Sequence, residues 1–294
     1  MAKVYTPLRY PGGKSALAEF VWHTIELNGF TEIPYCEPFA GGAGVAMNLL
    51  LQGKVKSVIL NDLDTGIYSI WYAIFNDTEW LIEAINNTEI TLAVREQQKK
   101  VYNELKNFDA YSHDLAFATF FLNRVNYSGI LTGGPIGGKE QKGKYKLDCR
   151  FNKESLIGKI KEIAKYRDNV QLFHMDAIEL LKNQSNIFVF ADPPYWQAGD
   201  MLYEASVEHS KLAKVLCESK DIHWIATYDN NINIANVYEK YGAHSKLFEL
   251  QYSASRKRKE LECMFYKNVD IESFGKIKLR EREDILCYNH PVIL

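Results

Sequence analysis

Asp192, Pro193, Pro194 and Tyr195 place a carboxylate, a backbone without free N–H groups and an aromatic plane in four consecutive positions. Each proline fixes its own φ, and the residue before a proline is pushed to extended geometry, so Asp192 and Tyr195 keep one fixed relation. The Asp192 carboxylate and the Pro193 carbonyl are acceptors with no competing donor beside them. Together they form a socket for a planar amine: the acceptors take the amine protons and the ring stacks on the base. The plainer alternative is a strand end, a Pro-Pro turn and a core tyrosine.

A second group of residues suits a nucleoside ligand. Residues 34–51 read PYCEPFAGGAGVAMNLLL. Tyr35 and Cys36 end a short strand, Gly41, Gly42 and Gly44 form a turn, and Val45 to Leu51 starts a helix. Such a unit turns backbone N–H groups and a helix amino end toward a ligand. The dinucleotide fingerprint is incomplete, because its third glycine position holds Met47. A nicotinamide oxidoreductase is disfavoured on that ground. Val55 to Leu60 reads as the next strand and ends in Asn61-Asp62-Leu63-Asp64. An acid about 20 residues past the glycine turn binds both ribose hydroxyls in this geometry. Asp62 is the first choice and Asp64 the fallback; the alternative makes both helix caps. Asp176, after the strand Val170 to Phe173, either accepts from the ligand's adenine amino group or caps the following helix.

Residues 8–17 read LRYPGGKSAL. Gly13-Lys14-Ser15 is only superficially a phosphate loop, since that motif needs glycine where Leu8 stands. A lysine at a helix start opposes the helix dipole. Lys14 is better explained if it reaches an anion or a carbonyl than as a solvated side chain.

The remaining elements must position these groups. Ile187 to Ala191 reads as a buried strand running into Asp192. Thr65 to Phe108 and Leu115 to Arg124 are helical in pattern. Residues 123–152 hold six glycines and many lysines, a loop suited to follow another surface. Lys153 to Tyr166 is an amphipathic helix. Gln197 to Val207 is a candidate lid. His209 to Ser219 and Ile232 to Tyr241 are helices; Ile222 to Tyr228 and Lys246 to Tyr252 are strands. Arg256-Lys257-Arg258-Lys259 is a basic turn before the strand Leu261 to Tyr266. His209 and His223 read as structural, because amine chemistry in this socket needs no such base.

The chain has 294 residues, is 47% hydrophobic and 24% charged, and carries a net charge of −2. That allows one large domain or a domain with an insert. Global charge does not announce a nucleic-acid binder, but its distribution does better. Residues 60–90 hold six acids and no Lys or Arg, whereas residues 139–167 hold ten Lys or Arg against four acids. One cationic face that meets phosphates is the reading. Five scattered cysteines without a CxxC pair point to reduced thiols in a cytoplasm, not to disulfides or zinc. No signal peptide precedes Tyr5, and no apolar run approaches the roughly 18 residues of a membrane span.

The order of these motifs, from aromatic-xGGK through EPFxGxG and NRxxYxG to DPPY, resembles the Dam-type (D12 class) N6-adenine-specific DNA methyltransferase family. The resemblance covers about residues 5–267; residues 268–294 have no counterpart. It implies an α/β, Rossmann-like S-adenosylmethionine-dependent methyltransferase fold: a mostly parallel twisted sheet, a C-terminal antiparallel hairpin and a small inserted helical and hairpin DNA-recognition region. Residues 1–65 and 168–294 would form the catalytic domain, and 66–167 the helical segment with a recognition hairpin at 123–152. Asp192, Pro193, Pro194 and Tyr195 would be catalytic. Tyr10, Lys14, Glu37, Pro38, Phe39, Gly41, Gly42, Gly44, Asp62, Asp176 and Asp192 would hold S-adenosylmethionine, with no metal. Tyr127 would wedge into the duplex beside a flipped base and Ser128 would touch bases. Arg124, Lys139, Lys142, Lys144, Arg256, Lys257 and Arg258 would grip the backbone. The implied partners are double-stranded DNA and, in restriction–modification, a cognate endonuclease; no membrane is expected. A monomer is expected, with a dimer as the alternative, in the cytoplasm of a bacterial or phage-infected cell. Phage self-protection and epigenetic marking would look the same. The tip GGPIGG departs from GATC readers, which leaves the target sequence open. Methylation of cytosine N4, of RNA or of a protein amide, and a DNA-binding role without turnover, are the other readings.

Overall fold

The computed structural model describes residues 5–10, 13–195, 209–252 and 258–282, with backbone only at 251, 252, 258 and 259. Strands β1 (Tyr35–Glu37), β2 (Val58–Asn61), β3 (Val170–Phe173), β4 (Ile187–Ala191), β5 (Ile222–Asp229), β6 (His244–Tyr252) and β7 (Arg258–Lys267) form one sheet. Their order is β3-β2-β1-β4-β5-β7-β6. The pairs among β1 to β5 are parallel, and β7 runs antiparallel to both β5 and β6. This is the expected α/β fold, a parallel sheet closed by an antiparallel hairpin.

The topology puts the chemistry in one place. The chain leaves β1 toward β2 and returns to the other side of β1 as β4. The strand order therefore reverses between β1 and β4, where ligands of open α/β sheets bind at the carboxyl ends. Cys36 pairs with Val189, so Glu37 and Asp192 follow neighbouring strands at that edge.

All five residues of β4 are buried. Ile187, Val189 and Ala191 join the core beneath α8 (Ala177–Lys182), α9 (His209–Glu218) and α10 (Ile232–Lys240). Phe188 and Phe190 join the opposite core, with α1 (Ala18–Leu27), α2 (Gly44–Leu51), α3 (Thr65–Asn76), α6 (His113–Val125) and α7 (Lys153–Ala164). A strand covered on both faces reads as an unbroken apolar run, which is why IFVFA does not alternate.

Between β2 and β3 the chain inserts α3, α4 (Thr78–Asn87), α5 (Leu92–Leu105), α6 and α7. Asp64, Thr91, Ser112 and Asn152 cap α3, α5, α6 and α7 through their side chains. Ile67, Phe120 and Ile160 of this insert share one continuous core with Leu17, Val45 and Leu60. The insert is built onto the sheet and its first helices, with a satellite core of Tyr102, Leu115, Ala118 and Leu122.

Where the hairpin is expected at 123–152, an antiparallel bridge joins Asn126 to Pro135, Tyr127 N–H donates to the Gly134 carbonyl and Ile136 N–H to the Val125 carbonyl, both at 2.9 Å, and short helical turns lie at Tyr127–Gly129 and Leu147–Arg150. Polar side chains fix the loop. Asn126 Nδ2 donates to the Ile130 and Leu131 carbonyls at 3.0 and 2.8 Å, and Arg95 donates to the Gly133 carbonyl at 2.7 Å. Gly129, Gly137 and Gly138 take positive φ, which turns the chain too often for a ladder to extend. Among the described residues, no helix is long and apolar enough to cross a membrane.

Candidate active site

The DPPY segment leaves β4 beside an ammonium group. Lys14 is 5% exposed. Its Nζ stands 3.3 Å from Asp192 Oδ1 and 3.4 Å from Glu262 Oε2, and donates to the Tyr195 hydroxyl at 2.5 Å. It also lies 5.0 Å from the centre of the Tyr195 ring. Thr227 Oγ1, on β5, donates to Asp192 Oδ1 at 2.8 Å. Burial pulls the Lys14 pKa down, but Asp192 and Glu262 outweigh it and hold the ammonium above its ordinary value. Burial, with Asp192 and Glu262 beside it, keeps the Tyr195 phenol protonated. Glu262 is 2% exposed, and burial pushes it up to about 7, Lys14 offsetting part of the cost.

The N-terminal segment lies directly on the glycine turn. A Cβ on Gly41 would meet the Tyr10 ring at 2.9 to 3.1 Å, and one on Gly44 would meet Ser15 Oγ at 2.1 Å. Tyr10 and Lys14 thus reach the site because the turn carries no side chains there. Gly41 also sits at φ 45°, the left-handed region. Gly41→Ala should therefore lose about 1–2 kcal/mol from backbone strain alone and displace Tyr10. Chemical denaturation would register the loss, and a wild-type midpoint would contradict this account.

The acids beside the turn hold it in shape. Glu37 Oε1 accepts from Tyr35 OH at 2.9 Å and from Ala46 N–H at 2.6 Å. It caps α2, whose N-cap Ala43 has no side-chain oxygen to offer. Burial raises Glu37 to about 8, against the two hydrogen bonds. Asp62 Oδ2 accepts from Gly41 N–H at 2.7 Å and its Oδ1 from Asp64 N–H at 2.9 Å. Desolvation and Asp64 push Asp62 up to about 7. Asn61, fully buried, donates to the Pro38 and Met175 carbonyls at 3.0 Å and accepts from Met175 N–H. It ties the ends of β1, β2 and β3 together. Phe39 packs on the core under α8 to α10.

Asp64 and Asp176 are helix caps. Asp176 Oδ1 accepts from Ile178 and Glu179 N–H at 2.8 and 3.1 Å, while the residue is exposed on the ligand side of β3. Of its two readings the cap is the one seen.

The expected DNA contacts divide. Tyr127 is 52% exposed at the loop surface, and Ser128 beside it has φ 56°. Lys139, Lys142 and Lys144 are exposed; Lys142 pairs with Glu140 at 2.5 Å and Lys144 lies over Tyr145. The expectation for Arg124 changes. It donates to the Arg150 carbonyl through Nε at 2.8 Å and through its second terminal nitrogen, and to the Pro7 carbonyl at 3.1 Å. Carbonyls of the chain itself hold its guanidinium, which clamps the N-terminal segment to the loop. Arg256 and Lys257, and the lid expected at Gln197 to Val207, lie outside the described residues. Arg258 opens β7 opposite Tyr252.

The residues fit a nucleoside sulfonium ligand. A turn open to close backbone approach, the amino end of α2 and an acid at the end of β2 lie along one strand edge beside Asp192. Glu262, Thr227 and Asn61 are the parts that sequence reasoning did not assign to the site.

No curated protein matches the chain in sequence. Among solved structures, it resembles a Pyrococcus horikoshii protein described as a candidate RNA methyltransferase, at 10% identity and TM-score 0.43, over 90% of this chain and 87% of that one. The Escherichia coli candidate methyltransferase yhhF aligns at 11% identity and TM-score 0.33, over 88% and 89%. A candidate methylase from Haemophilus influenzae aligns at 12% identity and TM-score 0.33, over 87% and 98%. The family described as D12 class N6 adenine-specific DNA methyltransferase matches residues 10–253. That span is most of the chain and contains the glycine turn, the insert and DPPY, so this protein belongs to the D12 class N6 adenine-specific DNA methyltransferase family and is a methyltransferase.

Proposed function

We propose that the protein transfers a methyl group from S-adenosylmethionine to N6 of an adenine flipped out of duplex DNA. The observation that carries this reading is the Lys14 ammonium between Asp192 and the Tyr195 hydroxyl. It is a nitrogen donor held by the carboxylate that a target amine would use, beside the Tyr195 ring.

Bound at the glycine turn, the cofactor supplies an electrophilic methyl group. Tyr10, Lys14 and the turn of Gly41, Gly42 and Gly44 would line it. Asp62 keeps lone pairs for ribose hydroxyls beyond its two backbone bonds, and Glu37, Pro38 and Phe39 hold the turn. Flipping a base costs a few kcal/mol, and stacking on Tyr195 recovers about 1–3 kcal/mol. The adenine N6 lone pair is delocalised into the ring. Asp192 and the Pro193 carbonyl would accept hydrogen bonds from its two N–H groups, draw the nitrogen toward tetrahedral geometry and stabilise its developing positive charge. Tyr127, Ser128 and the lysines 139, 142 and 144 form the surface we assign to the duplex, and we assign phosphate contact to Arg256, Lys257 and Arg258 as well.

Incubation with methyl-labelled S-adenosylmethionine and unmethylated genomic DNA, followed by nucleoside mass spectrometry, tests this. N6-methyladenine is expected. N4-methylcytosine would overturn the choice of base, and label found only in RNA would overturn the choice of polymer.

A further inference from the structure

Methyl transfer to an amine leaves one proton too many on the nitrogen, and the site contains a buried carboxylate that the mechanism above does not use. Glu262 lies on β7, opposite Asp229 of β5 in the strand register. The groups that face it are Lys14 from the N-terminal segment, Asp192 and Tyr195 from the end of β4, and Asp229 from β5. One ammonium bridges two carboxylates, with 3.3 Å to Asp192 and 3.4 Å to Glu262. Asp192 keeps 28% of its side chain exposed, against 2% for Glu262. The more exposed carboxylate therefore meets the substrate and the buried one does not. Two carboxylates sharing one cation favour uptake of a proton by the more buried of them, and burial already pushes Glu262 up to about 7.

We propose that Glu262, acting through Lys14, is the final acceptor of the proton that methyl transfer releases from the target amine. This rests on the methyltransferase reading given above. The nitrogen–carbon bond forms as the methyl–sulfur bond breaks, and that electron pair stays on sulfur. The nitrogen then carries a positive charge and two protons. One proton passes to Asp192. Lys14 gives a proton to Glu262 Oε2 and takes the one on Asp192. The amine ends neutral, Asp192 ionised, Lys14 charged and Glu262 neutral. Glu262 returns its proton to solvent between turnovers. It touches no reacting atom, so its role is to position and drain the proton.

Two measurements on the full-length protein test this. In ligand-free protein, the infrared difference between wild type and Glu262→Gln should contain one buried carboxyl that titrates near about 7. In single-turnover transfer to unmethylated duplex DNA, Glu262→Gln should slow the rate constant about a hundredfold, the low end for a positioned proton-transfer group. It should also abolish the rise in rate through neutral pH, leave DNA and cofactor affinity unchanged, and recover partly in Glu262→Asp. A merely structural role would move affinity or stability and leave the pH profile in place. A Glu262 carboxyl that stays ionised throughout, or a Glu262→Gln variant with the wild-type rate and profile, overturns the relay while the function stands. Wild-type protein that methylates no nucleic acid overturns the function and the relay with it.

Discussion

Asp192→Ala should cripple methyl transfer while leaving duplex binding near wild type. The single-turnover rate constant should fall by about a hundredfold to a thousandfold, since removal of one preorganised group aimed at a developing charge costs about 10²–10³. The carboxylate acts on charge that forms only in the transition state, so its loss falls on the rate constant and not on binding. The surroundings give the variant a fair chance of folding. Asp192 is partly exposed, and of its two Oδ1 contacts Lys14 keeps Glu262 and Tyr195 as partners, while the buried Thr227 hydroxyl loses this acceptor. Asp192→Asn should fall between the two, because its amide keeps one acceptor but loses the charge. Rapid-quench transfer assays paired with fluorescence anisotropy on labelled duplex separate the two effects. Near-normal turnover by Asp192→Ala would remove the socket from the mechanism. A parallel collapse of DNA binding would instead make Asp192 a structural residue.

Much of this site is legible in the sequence because its parts are local. The strand IFVFA and its Pro-Pro exit carry their geometry in adjacent residues, and β4 lies at the residues the pattern predicts. The glycine turn is likewise local, and so is the acid at the end of β2. What the sequence conceals is what topology brings together. Lys14 and Glu262 are separated by nearly the whole chain. Glu262 sits in LECMFYK, where a lone acid at the start of an apolar run reads as a solvent-facing position. Only the placement of β7 against β5 turns that charge inward. The extent of pairing within 123–152 is hidden for a related reason. Six glycines permit a hairpin as readily as any other turn, and the loop is decided by Asn126 and Arg95, whose partners are carbonyls that no pattern marks. Arg124 misleads in the same way. Its charge invites a phosphate, but its fork is filled by the carbonyls of Arg150 and Pro7.

Lys14→Met should destabilise the protein by about 3–5 kcal/mol at pH 8, the usual cost of breaking a buried ion pair from one side. Methionine keeps the volume of the side chain but leaves Asp192 and Glu262 facing each other without the ammonium. The loss should depend on pH, and its sign follows from which state binds the proton more tightly. Without Lys14 the folded-state pKa of Glu262 rises further above its unfolded value of about 4.3, because the cation that offset burial is gone. A raised folded pKa gives stability that is fully present below the unfolded value and is lost as pH rises through the folded one. The variant should therefore approach wild type near pH 5 and fall behind it steadily toward pH 8. In the wild type, the raised Lys14 pKa keeps the ammonium charged across that range, and its contribution fades only above the ordinary lysine value. Adding Glu262→Gln to Lys14→Met removes one of the two uncompensated charges. The double variant should regain part of the loss at pH 8 and little at pH 5, a coupling that urea denaturation of the four proteins at the two pH values would measure. Equal destabilisation by Lys14→Met at both pH values would mean that the lysine is held by packing alone, and that the two carboxylates do not share its charge.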